Sequence, residues 1–434
     1  MMRKIVFTLF MIAASGAIAS PSIGQTASDC APGVYRASDR NAVIISQSNE
    51  GDKDLGYVFL DGRRGKVSDR DVPFRCRGSD VLTRSASGAF AVWRKVEFRT
   101  TPTHFKSGDL MLNGLLIEPL DASASTPLAV FVHGSEKTGW VGHISYPYVL
   151  AAQGISAFIF DKRGTGDSQG TYTQNFELLA DDAAAAANEA RRLAAGRFGR
   201  LGLLGGSQGG WVAPAAANRA HADFVVVTYG LVLTPLEEDS EQVFDELRSK
   251  GYGNEAIAQA REVTDATDEV MASHFTTGFD KLAAAKQKYA NAPWLHQIKG
   301  EFTGDLLAAD EATLRKDGAA RYDNLGIDWH YDAKAVLRSI SMPQLWVLAG
   351  EDREAPNLLT QRRLGDLVDA GKPIDIAIFP NTDHGIYEFT EDADGTRHIT
   401  RHPEGYFRLL GDWIKGKLHA PYGPAQLKLA RSSS

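Results

Sequence analysis

Short apolar runs alternate with helical segments from about residue 96 to the C-terminal region. Runs that are apolar throughout and end at Gly, Pro or Asp are typical of strands buried on both faces. Their alternation with helices predicts a mostly parallel sheet that is covered on both sides. The strands are predicted at residues 112–117, 128–132, 157–160, 201–204, 224–228, 344–348 and 374–378, and flanking helices at 181–195 and 403–418.

Two regions depart from this alternation. Residues 29–95 consist of short β-prone runs separated by turn residues, which predicts a small β-rich N-terminal module. Within it, residues 57–67 predict a hairpin with a type I′ turn at Asp61-Gly62. Residues 235–340 are rich in Glu, Asp, Lys, Ala and Gln, with helical periodicity and scattered aromatics, and predict a helical insertion above the sheet. The large domain therefore spans 96–420, and residues 421–434 form a C-terminal tail.

The first 19 residues have the pattern of a secretory signal peptide. Arg3-Lys4 forms a positive region, residues 5–14 are apolar, and Ala17-Ile18-Ala19 matches a cleavage site. An exported chain meets oxidising conditions, so the two cysteines, Cys30 and Cys76, are predicted to form a disulfide. We expect a periplasmic or secreted protein with no membrane span after cleavage of the signal.

Composition narrows the class of protein. The chain has 434 residues, of which 43% are hydrophobic and 23% charged, so it can bury a large core. Its net charge of −7 provides no basic surface for nucleic acid. The two cysteines lack the His or Cys companions that a zinc site needs, so a metal pair is not expected.

Six residues around Ser207 carry the strongest chemical signal. Gly205-Gly206-Ser207-Gln208-Gly209-Gly210 follows a predicted strand and precedes a predicted helix. A serine on such a strand-turn-helix junction is a nucleophile elbow, where glycines on either side allow the close crossing of strand and helix. Ser207 is therefore the predicted nucleophile, and a plain glycine-rich turn is the alternative.

A serine hydroxyl needs a base, and the base needs an orienting acid. In this type of fold the acid follows the nucleophile and the histidine follows the acid. His384 comes after the last predicted strand and before a glycine, so it is the predicted base. Asp352, at the end of the preceding strand, is the predicted acid, with Glu351 and Glu354 as alternatives.

Two backbone N–H groups should stabilise the oxyanion that forms during attack. One is that of Gln208, and the other that of Ser135, in the segment His133-Gly134-Ser135 after an early strand. His133 precedes the nucleophile, so a structural role is predicted for it. The glycine-rich segment 161–168 lacks the Lys-Ser or Lys-Thr ending of a phosphate-binding loop and is interpreted as a structural loop.

Taken in order, these motifs resemble those of α/β-hydrolase serine esterases. The segments are His133-Gly134-Ser135, the loop 161–166, the stretch 205–214, Asp352 and His384. They are similar above all to bacterial esterases and to the related serine aminopeptidase-like and acyl-thioesterase hydrolases. The resemblance implies an α/β-hydrolase fold with an eight-stranded, mostly parallel sheet, a lid inserted after the sixth strand, a Ser-Asp-His triad and no cofactor.

The resulting hypothesis is an exported serine hydrolase that acts on a small-molecule ester through an acyl-enzyme. Ser207 would attack, His384 would relay the proton, and Asp352 would orient the imidazole. A peptidase, aminopeptidase or acyl thioesterase with the same triad is the nearest alternative. A non-catalytic binding protein is the alternative from another class.

Overall fold

Two large β-sheets follow one another along the chain. The computed structural model describes residues 30–37, 41–47, 54–84 and 89–430. The predicted signal peptide and the last four residues lie outside these ranges. In the part of the chain that is described, no helix combines the length and the apolar composition needed to cross a membrane.

The first sheet is antiparallel and forms the N-terminal module. Its strands lie in the order β4-β3-β2-β1-β7-β6-β5. They are β1 (Gly33–Arg36), β2 (Ala42–Gln47), β3 (Leu55–Phe59), β4 (Arg64–Lys66), β5 (Phe74–Arg77), β6 (Asp80–Arg84) and β7 (Phe90–Val96). The predicted disulfide between Cys30 and Cys76 is confirmed, with Cα atoms 5.2 Å apart, and it ties the segment before β1 to β5.

The hairpin predicted around Asp61-Gly62 is present, but its turn differs from the predicted type. The N–H of Phe59 donates to the carbonyl of Arg63, so three residues rather than two form the loop. A type I′ turn requires a positive φ at both central residues. Gly62 has φ +96°, whereas Asp61 is not in the left-handed region. The Asp61 side chain accepts from the backbone N–H and the guanidinium of Arg63.

Side chains of the module sheet alternate between two hydrophobic cores. Tyr35 and Val43 face a core that belongs to the module itself. Val34 and Ile44, one residue away in each strand, pack into a core shared with the large domain. Because successive residues of a strand point to opposite faces, this alternation fixes the module sheet against the large domain.

The second sheet is the central element of the large domain. Its strands lie in the order β19-β15-β14-β13-β12-β10-β11-β9-β8, and the six from β10 to β15 are parallel. The remaining strands of the chain are β8 (Phe98–Ser107), β9 (Leu110–Pro119), β10 (Leu128–Val132), β11 (Ser156–Phe160), β12 (Leu201–Gly206), β13 (Phe224–Thr228), β14 (Gln344–Ala349), β15 (Ile374–Phe379), β16 (Thr382–Asp383), β17 (Tyr387–Glu391), β18 (Arg397–Ile399) and β19 (Gln426–Lys428).

The sheet has nine strands rather than the expected eight. The additional strand is β19, in the predicted tail, which pairs antiparallel with β15. A short strand with polar residues gains its stability from this edge pairing, so no local hydrophobic pattern announces it. The strands β16, β17 and β18 form a separate small sheet that follows β15.

Helices cover both faces of the large sheet and form the insertion. Those beside the sheet are α1 (Tyr146–Ala151), α2 (Phe176–Leu193), α3 (Gly209–Ala217), α10 (Leu358–Asp369) and α11 (Tyr406–Ile414). Helix α11 is shorter than the predicted 403–418, because Gly405 and Gly416 take positive φ at its two ends.

The insertion between β13 and β14 is helical and has its own hydrophobic core, which includes Val243, Phe244 and Met271. Thr234 and Glu237 form a reciprocal capping box at its first helix. The helices are α4 (Pro235–Ser249), α5 (Asn254–Ala272), α6 (Phe279–Lys288), α7 (Thr303–Ala308), α8 (Glu311–Tyr322) and α9 (Ala333–Ser339). We call this segment the lid.

Candidate active site

Ser207 lies on a sharp turn between β12 and α3. Its φ of +52° is in the left-handed region, which a serine occupies at a cost. Its N–H donates to the carbonyl of Thr228 at 3.1 Å, which holds the turn against β13. A Cβ added to Gly205 would lie 2.1 Å from the carbonyl oxygen of Gly209, and one added to Gly209 would lie 2.6 Å from that of Val132. Glycine is therefore required on both sides of Ser207.

The three residues predicted as nucleophile, base and acid lie in contact. His384 Nε2 is 3.2 Å from Ser207 Oγ. On the other side of the ring, Nδ1 is 3.1 and 3.2 Å from the two carboxylate oxygens of Asp352. Asp352 is buried, and its Oδ1 also accepts the N–H of Ala355 at 2.8 Å. In the neutral form of the ring, these contacts favour the tautomer with the proton on Nδ1, which leaves Nε2 as the nitrogen that can accept a proton.

The alternative acids occupy other positions. Glu351 pairs with Arg397 at 3.3 Å. Glu354 approaches His384 on the opposite nitrogen, with Oε1 3.6 Å from Nε2. Asp383, next to the histidine, accepts the backbone N–H groups of Arg353 and His384 and therefore fixes the loop. Asp352 is the carboxylate that faces Nδ1.

Carboxylates around His384 favour its charged form. Burial alone would lower the pKa of the imidazole, but the hydrogen bond and charge of Asp352 outweigh burial. The charges of Glu354 and Glu238 add to this effect, and together they raise the pKa of His384 to about 9. In the free protein, His384 is therefore more basic than an ordinary histidine.

The two predicted oxyanion donors lie beside Ser207. A Cβ built on Gly134 would lie 3.6 Å from the Ser207 Cβ, so the backbone that leads into Ser135 passes close to the nucleophile. Ser135 and Gln208 line one cavity together with Ser207 and His384. Within the described ranges, neither the Ser135 nor the Gln208 backbone N–H donates a hydrogen bond. Both groups remain available to an oxygen of a ligand.

Side chains that the sequence did not single out support the loop of Ser135. The buried Lys162 Nζ donates to the carbonyl of Gly134 at 2.7 Å. The Tyr172 hydroxyl donates to the carbonyl of Ser135 at 2.5 Å. Burial lowers the pKa of Lys162 to about 8, against the opposing charge of Glu136. The loop 161–168, interpreted as structural, thus holds the backbone next to Ser135, the first predicted oxyanion donor.

His133 has no nitrogen left for proton transfer. Its Nδ1 is 2.7 Å from Glu136 Oε1, and its Nε2 contacts the carbonyl of Phe160. The ring is stacked on Trp140, with centroids 3.8 Å apart. Burial would raise the pKa of Glu136, but the hydrogen bond from His133 and the nearby charges of His133 and Lys162 keep it below its usual value.

Tyr229 is a further site residue that the sequence pattern did not indicate. It follows β13 with φ +44°, and its N–H donates to the carbonyl of Val347 at 2.7 Å. The ring packs edge-on against His384, with centroids 5.0 Å apart and planes at 71°. This contact limits the rotation of the imidazole between Ser207 and Asp352.

Two separate spaces border Ser207. Towards the lid it borders a cavity of about 280 Å³ whose walls include Phe176, Trp211, Phe302 and Trp329, which we call the lid-side cavity. Ser207 also borders a larger cleft of about 720 Å³, whose walls include Gln242 of the lid, and we call this space the active-site cleft. Among its walls are Trp140, Tyr146, Tyr229 and Tyr387, together with His384 and Gly385. The two openings leave room for both halves of a substrate.

Comparisons with known proteins agree with this architecture. A model of the alpha/beta hydrolase family matches residues 129–397. Solved structures that are similar include an esterase from Pyrococcus furiosus (14% identity, 66% of this chain and 84% of that chain, TM-score 0.41). Others are an acylaminoacyl peptidase from Pyrococcus horikoshii (16%, 81% and 52%, 0.41) and a proline iminopeptidase from Mycobacterium smegmatis (18%, 65% and 91%, 0.39).

A search of curated proteins found no match. The structural similarities are too distant to assign a substrate. The family match, in contrast, rests on the sequence. It runs from β10 to β18 and includes Ser207, Asp352 and His384. The chain belongs to the alpha/beta hydrolase family.

Proposed function

We propose that this protein is a serine hydrolase that cleaves carboxylic esters through an acyl-enzyme. The observation that carries the proposal is the unbroken contact from Asp352 through His384 to Ser207 Oγ, next to two unengaged N–H groups. This is the set of groups that acyl transfer requires.

The reaction would proceed in two halves. Ser207 Oγ attacks the ester carbonyl carbon while His384 Nε2 takes its proton, and the N–H groups of Ser135 and Gln208 stabilise the oxyanion. Collapse breaks the ester C–O bond, and His384 returns the proton to the departing alkoxide. Water, activated by the same imidazole, then hydrolyses the acyl-Ser207 ester.

A panel of p-nitrophenyl esters of increasing acyl length tests this proposal. We expect steady turnover by the wild type and a loss of at least about 10³-fold in kcat for Ser207→Ala and for His384→Gln. Lys106→Met, an exposed change in β8, should keep wild-type rates. Turnover that survives in Ser207→Ala would refute the assignment of the nucleophile.

An aminopeptidase is the second candidate, and one observation favours it. Glu238, Glu301 and Glu354 border the lid-side cavity. Within the described residues, none of these three carboxylates pairs with a Lys or Arg side chain. Burial and the charge of Glu301 raise the pKa of Glu238 well above its usual value. A substrate ammonium group would relieve this repulsion.

Matched substrates separate the two functions. Aminoacyl p-nitroanilides test for amide cleavage, and p-nitrophenyl esters with the same acyl group test for ester cleavage. The ester proposal predicts a much higher kcat/KM for the esters, beyond the difference in intrinsic reactivity. Turnover of the anilides alone would favour the aminopeptidase.

We further propose that the protein is exported. The disulfide between Cys30 and Cys76 fits an oxidising compartment, and residues 1–19 have the composition of a cleavable signal. Expression of the full chain in a Gram-negative host, followed by fractionation and N-terminal sequencing, should give a shortened chain in the periplasm. A full-length chain in the cytosol would contradict export.

A further inference from the structure

The active-site cleft continues beneath the N-terminal module. A second cavity of about 330 Å³, which we call the module cavity, is walled on one side by Tyr57 and Arg64 of the module. On the other side it is walled by the large domain. Four residues border both the module cavity and the cleft that contains Ser207, so the two spaces adjoin; these residues are Glu136, Trp140, Tyr146 and Tyr387.

The module wall is held firmly in place. The N–H of His402 donates to the carbonyl of Gly62 at 3.0 Å, and Arg401 donates to the carbonyl of Asp61 at 2.5 Å. A Cβ on Gly62 would lie 2.2 Å from the His402 carbonyl oxygen, so the loop between β3 and β4 sits directly on the large domain. The wall is therefore part of a preformed site, a property that favours specific binding.

A network of neutral polar groups lies at the junction of the two spaces. Tyr146 is hydrogen-bonded to His402 Nε2 at 3.0 Å and to the Tyr387 hydroxyl at 3.3 Å. His402 Nδ1 donates to the carbonyl of Ile386 at 3.0 Å. Burial lowers the pKa of His402 to about 3, and the charge of Arg64 acts in the same direction. The imidazole is neutral, so it neither attracts nor repels a charged ligand.

Arg64 is the charged group of the module wall. Its guanidinium carbon lies 4.7 Å from the centroid of the Tyr387 ring. In the part of the chain that is described, Arg64 pairs with no carboxylate, whereas its neighbour Arg63 pairs with Asp61 at 2.8 Å. Glu136, the acidic residue at the junction, is already bound to His133. The cavity thus combines aromatic walls with one uncompensated positive charge.

We propose that the N-terminal module forms a subsite for an aromatic leaving group that carries a carboxylate, with Arg64 binding the anion and Tyr57, Trp140 and Tyr387 contacting the ring. The inference rests on the proposed ester hydrolysis and names its substrate class as esters of aromatic hydroxy acids. A planar carboxylate matches the guanidinium fork, and rings pack well on aromatic walls.

The position of His384 places the leaving group in the active-site cleft. The departing oxygen must receive the proton from Nε2, so it lies next to this imidazole. Gly385 and Tyr387, which follow His384 in the chain, line the active-site cleft rather than the lid-side cavity. A leaving group that extends from His384 along these residues reaches the module cavity.

An isosteric pair of esters tests the subsite. The probes are the acetate ester of 4′-hydroxybiphenyl-4-carboxylate and that of the corresponding primary carboxamide, which differ in charge but hardly in shape. We expect the wild type to favour the carboxylate by about tenfold in kcat/KM. Arg64→Gln should reduce this ratio to near one. Arg70→Gln, an exposed change in the same module, should keep the wild-type ratio.

Binding of the product tests the subsite without catalysis. Calorimetry of Ser207→Ala protein with 4′-hydroxybiphenyl-4-carboxylate should show binding that weakens about tenfold when Arg64→Gln is added. A carboxylate-to-carboxamide ratio that Arg64→Gln leaves unaltered, or product binding indifferent to it, would overturn the subsite. Absence of turnover of both esters, with product binding intact, would instead refute the proposed ester hydrolysis alone.

Discussion

His384 lies between carboxylates on both of its nitrogens. Asp352 contacts Nδ1, and this contact orients the ring as well as making it more basic. Glu354 lies 3.6 Å from Nε2, the nitrogen that must accept the serine proton. A pKa of about 9 means that a large share of the free protein carries a protonated imidazole at neutral pH. Only the neutral form can act as the base.

The pH dependence of ester cleavage should follow this titration. Because the free protein must lose a proton from His384, kcat/KM for a neutral ester should rise about tenfold per pH unit up to about pH 9. Glu354→Gln removes a negative charge, which favours the neutral imidazole and moves the rising limb to lower pH. Rates on p-nitrophenyl butyrate between pH 5 and 10 measure the shift.

Glu255→Gln is the matched control for this experiment. Glu255 is an exposed lid residue at the start of α5 and hydrogen-bonds only with Gln259 among described partners. Loss of the Glu255 charge should leave the rise of kcat/KM at the same pH as in the wild type. A limb near pH 6.5 in the wild type, or one that Glu354→Gln does not move, would show that these carboxylates do not set the basicity of His384.

At the scale of elements, the ends of the parallel strands bring the site together. Ser207 follows β12, Asp352 lies in the loop after β14, and His384 comes shortly after β15. Because the carboxyl ends of parallel strands meet at one edge of the sheet, residues far apart in sequence become neighbours there. The loop after β10 contributes Ser135, and the loop after β11 contributes Lys162, which holds it.

Loss of the Lys162 support should weaken oxyanion stabilisation. In Lys162→Met the carbonyl of Gly134 loses its buried donor, and the N–H of Ser135 loses its fixed direction. We expect kcat for p-nitrophenyl butyrate to fall by about 10- to 100-fold with a smaller change in KM. Lys106→Met in β8 is exposed and should have wild-type kcat; equal rates for the two variants would argue against the positioning role.

Elements that are marked by a local pattern of apolar residues could be predicted from the sequence. Apolar runs predicted β10 and β13 to the residue, because strands buried on both faces are apolar at every position. The order of motifs also predicted that Ser207, Asp352 and His384 would be neighbours. Strands β16 to β19 are short and polar, and tertiary pairing stabilises them, so periodicity could not reveal them.

Supporting residues of the site were harder to predict for a related reason. Lys162 has an ionisable side chain but is only 1% exposed, and its Nζ donates to a backbone carbonyl 28 residues away. Tyr229 contacts His384 only because β13 and the loop after β15 end at the same edge. Roles of this kind follow from three-dimensional contacts. The sequence offered one indication of the role of Lys162, namely a lysine within the predicted structural loop 161–168.

At the scale of the whole molecule, the module and the large domain act as one body around the site. One face of the module sheet shares a hydrophobic core with α1 and α11 of the large domain. The loop after β3 is hydrogen-bonded to the segment before α11. The module is thus coupled to the large domain both through this core and through the contact between Gly62 and His402.

The disulfide should contribute to the stability of this body. It joins residues 46 positions apart, and the loss of its loop constraint corresponds to about 4 kcal/mol in the chain-entropy description. A variant with both Cys30→Ser and Cys76→Ser should unfold at lower urea concentration by about this free energy. Wild-type protein treated with a reductant should match the variant, and an unchanged midpoint in both would contradict the contribution.

The most direct test of the central claim is to identify the residue whose side chain reacts as the nucleophile. Wild-type protein should be incubated with a fluorophosphonate at about pH 9, where about half of His384 is neutral, then digested and mapped by mass spectrometry. The account predicts one stoichiometric adduct on the peptide that contains Ser207, and no adduct in Ser207→Ala or at pH values where His384 is fully protonated. A folded wild type that stays unlabelled, or that carries the adduct on another residue, would contradict it.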